Sequence, residues 1–280
     1  MPTATINGLD LHYREAGSGF PVVLVHGFTG NSRNWALTVP ALADQFRTVS
    51  IDLRGHGRSA RPTREEDYQM EAMADDVYLL LQHLAISECY LAGHSMGGMV
   101  AQCLVLAHPE VVRALVLVDT AADMPETLAA RDRRAQRERL AEIARTQGME
   151  AVFEEQLRLD TITNPSRAQL QSNPQFLQNW RAQFLMTSPE AYIYCSRGLG
   201  SRKPLLDQLK NVSVATLIIC GENDEPFVEP SKRMHQAIPG SELAMLAGSG
   251  HTPQIEVPAE FNRVLTGFLS NVHQGAPTRS

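Results

Sequence analysis

A serine bracketed by glycines is the feature of this 280-residue chain that most plainly suggests chemistry. Ser95 lies in the stretch Gly93-His94-Ser95-Met96-Gly97, which follows a strand-like apolar segment and precedes a helix-like one. A serine on such a sharp turn holds its hydroxyl exposed, and glycines are needed where neighbouring side chains would collide. The pattern predicts that Ser95 is a nucleophile. The helix that begins at Met96 would direct free amides and its positive dipole end at the same point.

A serine hydroxyl is a weak nucleophile at neutral pH, so it needs a base, and the base needs a group that fixes its tautomer. The chain offers nine histidines. His251 follows a late predicted strand and lies in a glycine-rich loop, so it is the predicted base. His26, His56 and His94 also border loops, but they fit turn or supporting positions better.

Two aspartates follow predicted strands and are candidates for the orienting acid. Asp224 precedes His251 by 27 positions, and the order Ser95, Asp224, His251 is the one expected of this type of turn. We therefore predict Asp224 as the acid and keep Asp119, which ends a strand next to the serine-bearing one, as the alternative. Glu222 lies nearer its strand and is expected to point away.

The tetrahedral intermediate of acyl transfer needs preorganised hydrogen-bond donors. The backbone amide of Met96, directly after the serine, is one predicted donor. The amide of Phe28, in the loop after an early strand, is the other. His26 and Gly27 are expected to shape this loop and to contact the substrate there.

Alternating strand-like and helix-like segments must position these residues. A hairpin is predicted around Asn7-Gly8, and apolar runs follow near residues 21–25, 47–51, 114–118, 214–220 and 242–246. Strands that alternate with helices predict a parallel, doubly wound sheet. The carboxyl ends of its strands share one edge, so the loops that carry Ser95, Asp224 and His251 should meet there.

The pattern changes between residues 121 and 203, where helical segments near 131–145, 151–159, 176–185 and 189–199 occur without a convincing strand. We predict that 121–203 is a helical lid inserted into a core of residues 1–120 and 204–280. Trp180 and Phe184 are predicted to line the substrate pocket from this lid.

Composition excludes several other classes of protein. The net charge is −6 and no basic run favours nucleic acid or anionic lipid. No signal segment precedes the first strand, and no apolar stretch is long enough to cross a membrane. Four cysteines without a pairing motif favour a reducing, cytoplasmic location. The sequence contains no metal-binding or nucleotide-binding motif, so we expect no metal and no cofactor. We expect the protein to be a monomer or a homodimer.

Five motifs together give the chain a family resemblance over nearly its full length. They are His26-Gly27-Phe28, Asp52 to Ser59, Gly93 to Gly98, Gly221 to Asp224 and Gly250-His251. In this set the chain resembles the α/β-hydrolase superfamily. The resemblance implies a core of eight strands, mostly parallel and flanked by helices, with a helical lid.

Individual motif residues indicate which subgroups of this superfamily the chain resembles. The run Ser-Met-Gly-Gly-Met-Val-Ala-Gln that begins at Ser95 is similar to small serine carboxylesterases, enol-lactone hydrolases and cofactor-free haloperoxidase-like esterases. Epoxide hydrolases and haloalkane dehalogenases place an aspartate at the position of Ser95. The menaquinone-pathway synthases typically carry an arginine where this chain has Met99. Carbon–carbon bond hydrolases usually have Gly-Pro-Gly where this chain has Phe28-Thr29-Gly30.

The sequence thus predicts a serine hydrolase that acts on a small carboxylic ester, thioester or lactone through an acyl-enzyme. Its predicted partner is this small-molecule substrate. A carbon–carbon bond hydrolase or menaquinone-pathway-type lyase with the same triad is the alternative, and arginines of the lid would then grip an acidic substrate. A ligand receptor that keeps the fold without catalysis is a further alternative.

Overall fold

A computed structural model describes residues 2–123, 128–159 and 173–275 of the chain. In these residues one sheet of eight strands runs through the molecule, in the order β1-β2-β4-β3-β5-β6-β7-β8. The strands are β1 (Thr3–Ile6), β2 (Leu9–Ala16), β3 (Phe20–Val25), β4 (Phe46–Ile51), β5 (Cys89–His94), β6 (Val112–Val118), β7 (Ala215–Gly221) and β8 (Glu242–Leu246).

The sheet is mostly parallel, as predicted. Only β1 with β2 and β2 with β4 pair antiparallel, and the other neighbours pair parallel. The central strands are buried on both faces, which explains why β3 and β6 read as continuous apolar runs. Strands β3, β5, β6, β7 and β8 are neighbours in that order, so the five loops that follow them meet at one edge.

Helices cover both faces of the sheet. They are α1 (Val39–Ala43), α2 (Met70–His83), α3 (Met96–Ala107), α4 (Leu128–Arg158), α5 (Pro174–Phe184), α6 (Pro189–Ser201), α7 (Leu206–Leu209), α8 (Glu225–Ala237), α9 (Pro253–Glu256) and α10 (Pro258–Gly275). One apolar core contains Val77 of α2 and Leu104 of α3. The other contains Leu42 of α1 and Leu265 of α10. This is the three-layer arrangement that alternating strands and helices produce.

Helices α4 to α6, here called the inserted helices, follow β6 and precede β7. The predicted segments 131–145 and 151–159 lie in one helical stretch, α4, which bends at Gly148 (φ 84°). The inserted helices have an apolar core of their own, which includes Phe153, Phe184 and Tyr192. Phe28 packs against this core and also against the core of the sheet, so the two cores meet at that residue.

Helix α8 contains a proline within its length. It begins at Glu225, and Pro230 lies inside it. The amides of Phe227 and Val228 both donate to the carbonyl of Asp224, so the helix starts five residues before this proline. Asp224 is consequently held at the N-terminal end of a helix instead of in an open loop. None of the described helices is long and apolar enough to cross a membrane.

Candidate active site

Ser95 occupies the sharp turn between β5 and α3. Its backbone has φ 53° and ψ −116°, a conformation that costs a non-glycine residue about 1–3 kcal/mol. Two hydrogen bonds hold it there. The Ser95 amide donates to the carbonyl of Val118 (2.8 Å), and the Thr120 hydroxyl donates to the Ser95 carbonyl (2.7 Å).

The two glycines around Ser95 are required by close backbone contact. A Cβ at Gly93 would overlap the carbonyl of Gly97, and a Cβ at Gly97 would overlap the carbonyls of Val25 and His26. All of these obstacles are backbone atoms, which cannot rotate away. The turn therefore packs directly onto the loop after β3, as the sequence pattern predicts.

The three residues predicted for the triad form one hydrogen-bonded chain. His251 Nε2 lies 2.9 Å from Ser95 Oγ, and His251 Nδ1 lies 2.6 Å from Asp224 Oδ2. Because an ionised carboxylate can only accept, Nδ1–H donates to Asp224, which leaves Nε2 free to accept the serine proton. Ser95 is 9% exposed, and Asp224 and His251 are each 6% exposed. This arrangement can activate a serine hydroxyl by general-base catalysis.

Glu256 holds the loop that carries His251. Its carboxylate accepts the amides of Gly250 and Thr252 and the Thr252 hydroxyl, each at 2.9 Å. The ring of Phe227 packs against the His251 ring, with centroids 4.6 Å apart. The sequence analysis missed both residues. An acid in the first turn of α9, just after Thr252, is the signal that could have indicated Glu256.

His94 holds the backbone of His251 by a hydrogen bond. Its Nε2–H donates to the His251 carbonyl at 2.6 Å, so Nδ1 of His94 carries no proton. Burial, together with the neighbouring His251, lowers the pKa of His94 to about 3. His94 is therefore neutral at physiological pH and acts as a hydrogen-bond donor, in agreement with its predicted supporting position.

The amides of Phe28 and Met96 are available near Ser95. Within the described residues, neither amide donates to a protein acceptor, whereas those of Gly98 and Met99 bond the Ser95 carbonyl. A Cβ at Gly27 would lie 3.1 Å from the Ser95 Cβ, so the loop that carries Phe28 runs directly beside the serine. Two free amides at this point are what an oxyanion hole requires.

His26 was predicted to contact the substrate, and this contact stays a prediction, although the structure buries its side chain. Its ring is fully buried, Nδ1–H donates to the Gly27 carbonyl (2.7 Å), and Nε2 accepts the amide of Leu53 (3.0 Å). Burial lowers its pKa and keeps it neutral. With both nitrogens occupied, His26 fixes the shape of the loop and has no polar atom left for a ligand.

Trp180 and Phe184 lie in the core of the inserted helices. They are 9% and 3% exposed, and the Phe184 ring contacts the rings of Phe153 (5.3 Å) and Tyr192 (6.1 Å between centroids). Their contact with substrate stays a prediction. Tyr192, which the sequence analysis missed, packs against Phe28 with ring centroids 5.1 Å apart and ring planes tilted by 34°. It links the inserted helices to the loop beside Ser95.

Asp119, the alternative acid, also lies at this edge but does not bond His251. Its Oδ1 accepts the amide of Gly221 at 2.9 Å. Burial, and next the charge of Asp224, raise the pKa of Asp119 well above its usual value. The hydrogen bond to His251 Nδ1 belongs to Asp224, so the geometry favours Asp224 as the orienting acid.

Comparison with known proteins agrees with this fold. The family model described as alpha/beta hydrolase fold matches residues 21–258, and the chain belongs to this family. A putative 2-succinyl-6-hydroxy-2,4-cyclohexadiene-1-carboxylate synthase of Bacillus subtilis is 30% identical over 263 residues, which cover 90% of each chain.

Two solved structures are similar over almost the whole chain. A thermophilic esterase from Thermogutta terrifontis is 30% identical, with a TM-score of 0.83 and 97% of each chain covered. The enol-lactonase from Burkholderia xenovorans is 28% identical, with a TM-score of 0.85, and 96% of this chain and 100% of that chain are covered. The protein is thus an α/β-fold hydrolase that resembles small esterases and lactonases.

Proposed function

We propose that this protein is a serine hydrolase that cleaves a small carboxylic ester, thioester or lactone through an acyl-enzyme. The hydrogen-bonded chain from Ser95 Oγ through His251 to Asp224, at 2.9 and 2.6 Å, carries the proposal. The similarity to an esterase and an enol-lactonase supports the same substrate class.

In the proposed reaction Ser95 Oγ attacks the carbonyl carbon while His251 Nε2 takes the hydroxyl proton. Asp224 keeps Nδ1–H in place and stabilises the imidazolium. The amides of Phe28 and Met96 receive the oxyanion. The tetrahedral intermediate then expels the alcohol, thiol or ring oxygen, which takes the proton from His251. Water, deprotonated by His251, attacks the acyl-enzyme and releases the acid and Ser95.

We propose that residues 121–203 form a lid and that 1–120 and 204–280 form the core. The packing of Phe28 and Tyr192 supports this division, because it joins the inserted helices to the loop after β3. The lid would shape the acyl side of the pocket. Parts of the predicted lid, residues 124–127 and 160–172, lie outside the described residues.

A lyase or carbon–carbon bond hydrolase is the second candidate, and the likeness to the Bacillus subtilis synthase favours it. Against it, Met99 is 4% exposed and packs in the core of the sheet, so position 99 presents no cation to an acidic substrate. We also propose a cytoplasmic location, which the four free cysteines support because reducing compartments keep thiols unpaired.

The test is turnover of p-nitrophenyl esters of increasing acyl length, beside a lactone and a vinylogous diketo acid. We expect a burst of p-nitrophenol and then steady turnover, best with short acyl chains. Ser95→Ala should abolish it. Ser50→Ala is the matched control, because Ser50 is also buried, lies on β4 and, among the described residues, has no hydrogen-bond partner for its hydroxyl.

The outcomes separate the candidates. Turnover that survives in Ser95→Ala would overturn the proposal. Activity confined to the diketo acid would favour the carbon–carbon bond hydrolase. Tight binding of a ligand with no turnover of any substrate would favour a receptor.

A further inference from the structure

Asp119 is fixed at the centre of the active-site edge but takes no part in the proton path. It directly follows β6, is fully buried and has φ 41°, so its backbone is held in the left-handed region. Its amide donates to the Ile219 carbonyl (2.9 Å), and its Oδ1 accepts the Gly221 amide (2.9 Å). Both contacts tie the end of β6 to β7 and leave the carboxyl group one orientation.

Within the described part of the chain, the second oxygen of this carboxyl group, Oδ2, lacks the hydrogen bond that a buried acceptor needs. Asp119 Oδ2 is buried and, among the described residues, no donor reaches it. Yet Asp119, Asp224 and His251 each place one oxygen or nitrogen within 4.8 Å of the others. A buried acceptor without a donor, beside another carboxylate, is costly as long as both groups are taken as ionised.

Of the two aspartates, only Asp224 is hydrogen-bonded to a group that becomes a cation during the proposed reaction. Asp224 accepts Nδ1–H of His251 at 2.6 Å, and that bond strengthens when His251 becomes an imidazolium. Among the described residues, Asp119 has the Gly221 amide and the neutral Cys220 thiol as its donors, and no cationic group bonds it. Two buried carboxylates so close cannot both ionise cheaply, so the charge belongs on Asp224 and a proton on Asp119.

We infer that Asp119 is held as a neutral carboxylic acid whose Oδ2–H donates to the Asp224 carboxylate, which makes it a positioning residue for the catalytic acid. The protonated form gives Oδ2 a partner and gives Asp224 a second fixed contact beside His251. The pKa of Asp119, raised by burial and by Asp224, agrees with this assignment. The catalytic consequence rests on the proposed function, whereas the protonation state does not.

The described titratable side chains that face Asp119 come from three elements. They are Cys220 of β7, Asp224 at the start of α8 and His251 from the loop after β8. Burial, and next Asp119, raise the pKa of the Cys220 thiol, so it is neutral at pH 7. A metal ion would have to break the hydrogen bond between Asp224 and His251 to use this cluster.

A pair of substitutions tests the positioning role. In Asp119→Asn the amide oxygen can accept the Gly221 amide and the NH2 group can donate to Asp224, so this variant should retain kcat within about threefold. Asp119→Ala offers neither group, and kcat should fall about ten- to a hundredfold with KM little changed. An Asn variant as impaired as the Ala variant would overturn the inference, and so would an Ala variant as active as the parent.

The pH dependence of unfolding tests the protonation state without any enzymatic activity. An aspartic acid whose folded pKa is raised contributes stability at low pH, which is lost as the pH rises from the unfolded pKa of about 4 toward the folded pKa. Asparagine does not titrate. In a Ser95→Ala background, the Tm of Asp119→Asn relative to Asp119 should therefore increase between pH 4 and pH 7.

The opposite trend, a relative Tm of Asp119→Asn that decreases as the pH rises, would mean that Asp119 is ionised, and a flat difference would mean that its pKa is ordinary. Either result would overturn the inference. Failure of the proposed function shows in a different experiment, as turnover that survives in Ser95→Ala.

Discussion

The loops at the carboxyl edge of the sheet and the inserted helices place their polar groups in opposite ways. At the sheet edge the groups are buried and each contact fixes an angle, as in the chain from Ser95 to Asp224. On the inserted helices the charges pair in solvent, as in Arg145 with Glu142 and Arg158 with Glu155. Exposed pairs of this kind contribute little to stability.

The difference indicates a division of labour. In the core, buried and directional contacts hold the catalytic groups in their reactive positions, where a small displacement of these groups would lower the rate strongly. The inserted helices meet this machinery through the apolar contact of Tyr192 with Phe28, which can set the shape of a pocket without fixing any proton position. Substitutions in the two regions should therefore differ sharply in their effect.

The largest effect is expected from Asp224→Asn. An asparagine cannot hold His251 in the tautomer that accepts the serine proton, so kcat should fall by about 10³ to 10⁴ while the fold is retained. Steady-state kinetics measure the loss of kcat, and circular dichroism shows whether the fold is retained. Asp207→Asn, which alters an exposed ion pair with Lys210, is the control and should leave kcat and the fold unchanged. A loss smaller than tenfold would mean that another group, with Asp119 the nearest, supplies the charge.

Gly97→Ala should be the next most damaging change. Its Cβ would meet backbone carbonyls of the loop after β3, so the turn and the loop must separate. We expect a loss of about 3 kcal/mol or more in the free energy of unfolding, measured with urea, together with loss of activity. Gly267→Ala on α10, where a Cβ meets open space, should be neutral or slightly stabilising. Equal stability of the two variants would contradict the close packing.

A smaller effect is expected from Glu256. Glu256→Ala removes the acceptor for two amides and one hydroxyl of the His251 loop, so kcat should fall about ten- to a hundredfold. Glu256→Gln keeps one acceptor oxygen and should lie between this variant and the parent. Glu260→Ala, at an exposed pair with Arg263, serves as the control. Unchanged kcat in Glu256→Ala would mean that His251 is positioned without this carboxylate.

The smallest effect should come from the inserted helices. Arg181 of α5 pairs with Glu150 of α4, and both side chains are nearly half exposed. Arg181→Ala should change the free energy of unfolding by less than about 1 kcal/mol and leave kcat/KM for a neutral ester unaltered. A large loss of activity in this variant would break the proposed division of labour.

Local patterns explain what the sequence analysis predicted correctly. The parallel sheet followed from apolar runs that alternate with helical segments, and the eight strands from the family resemblance. The order Ser95, Asp224, His251 needed only the motif at the turn and the position of each residue after a strand. Such features depend on a few neighbouring residues, which a single sequence displays.

The rest depends on contacts between distant segments. Nothing local to His26 reveals that the amide of Leu53 occupies its second nitrogen, so the sequence could not show that both ring nitrogens are bonded within the protein. Tyr192 meets Phe28 across more than 160 residues, and Asp119 meets Asp224 across more than 100. Pro230 would suggest the first turn of a helix from the sequence alone, yet it lies inside α8.

Covalent trapping of the nucleophile tests the central claim most directly. The protein is treated with a p-nitrophenyl phosphonate ester, and the modified peptide is identified by mass spectrometry. The account predicts one phosphonyl group per chain, on Ser95, with p-nitrophenol released in equal amount and activity lost in parallel. Modification at another residue, or full turnover of esters by a protein that the phosphonate does not label at Ser95, would contradict it.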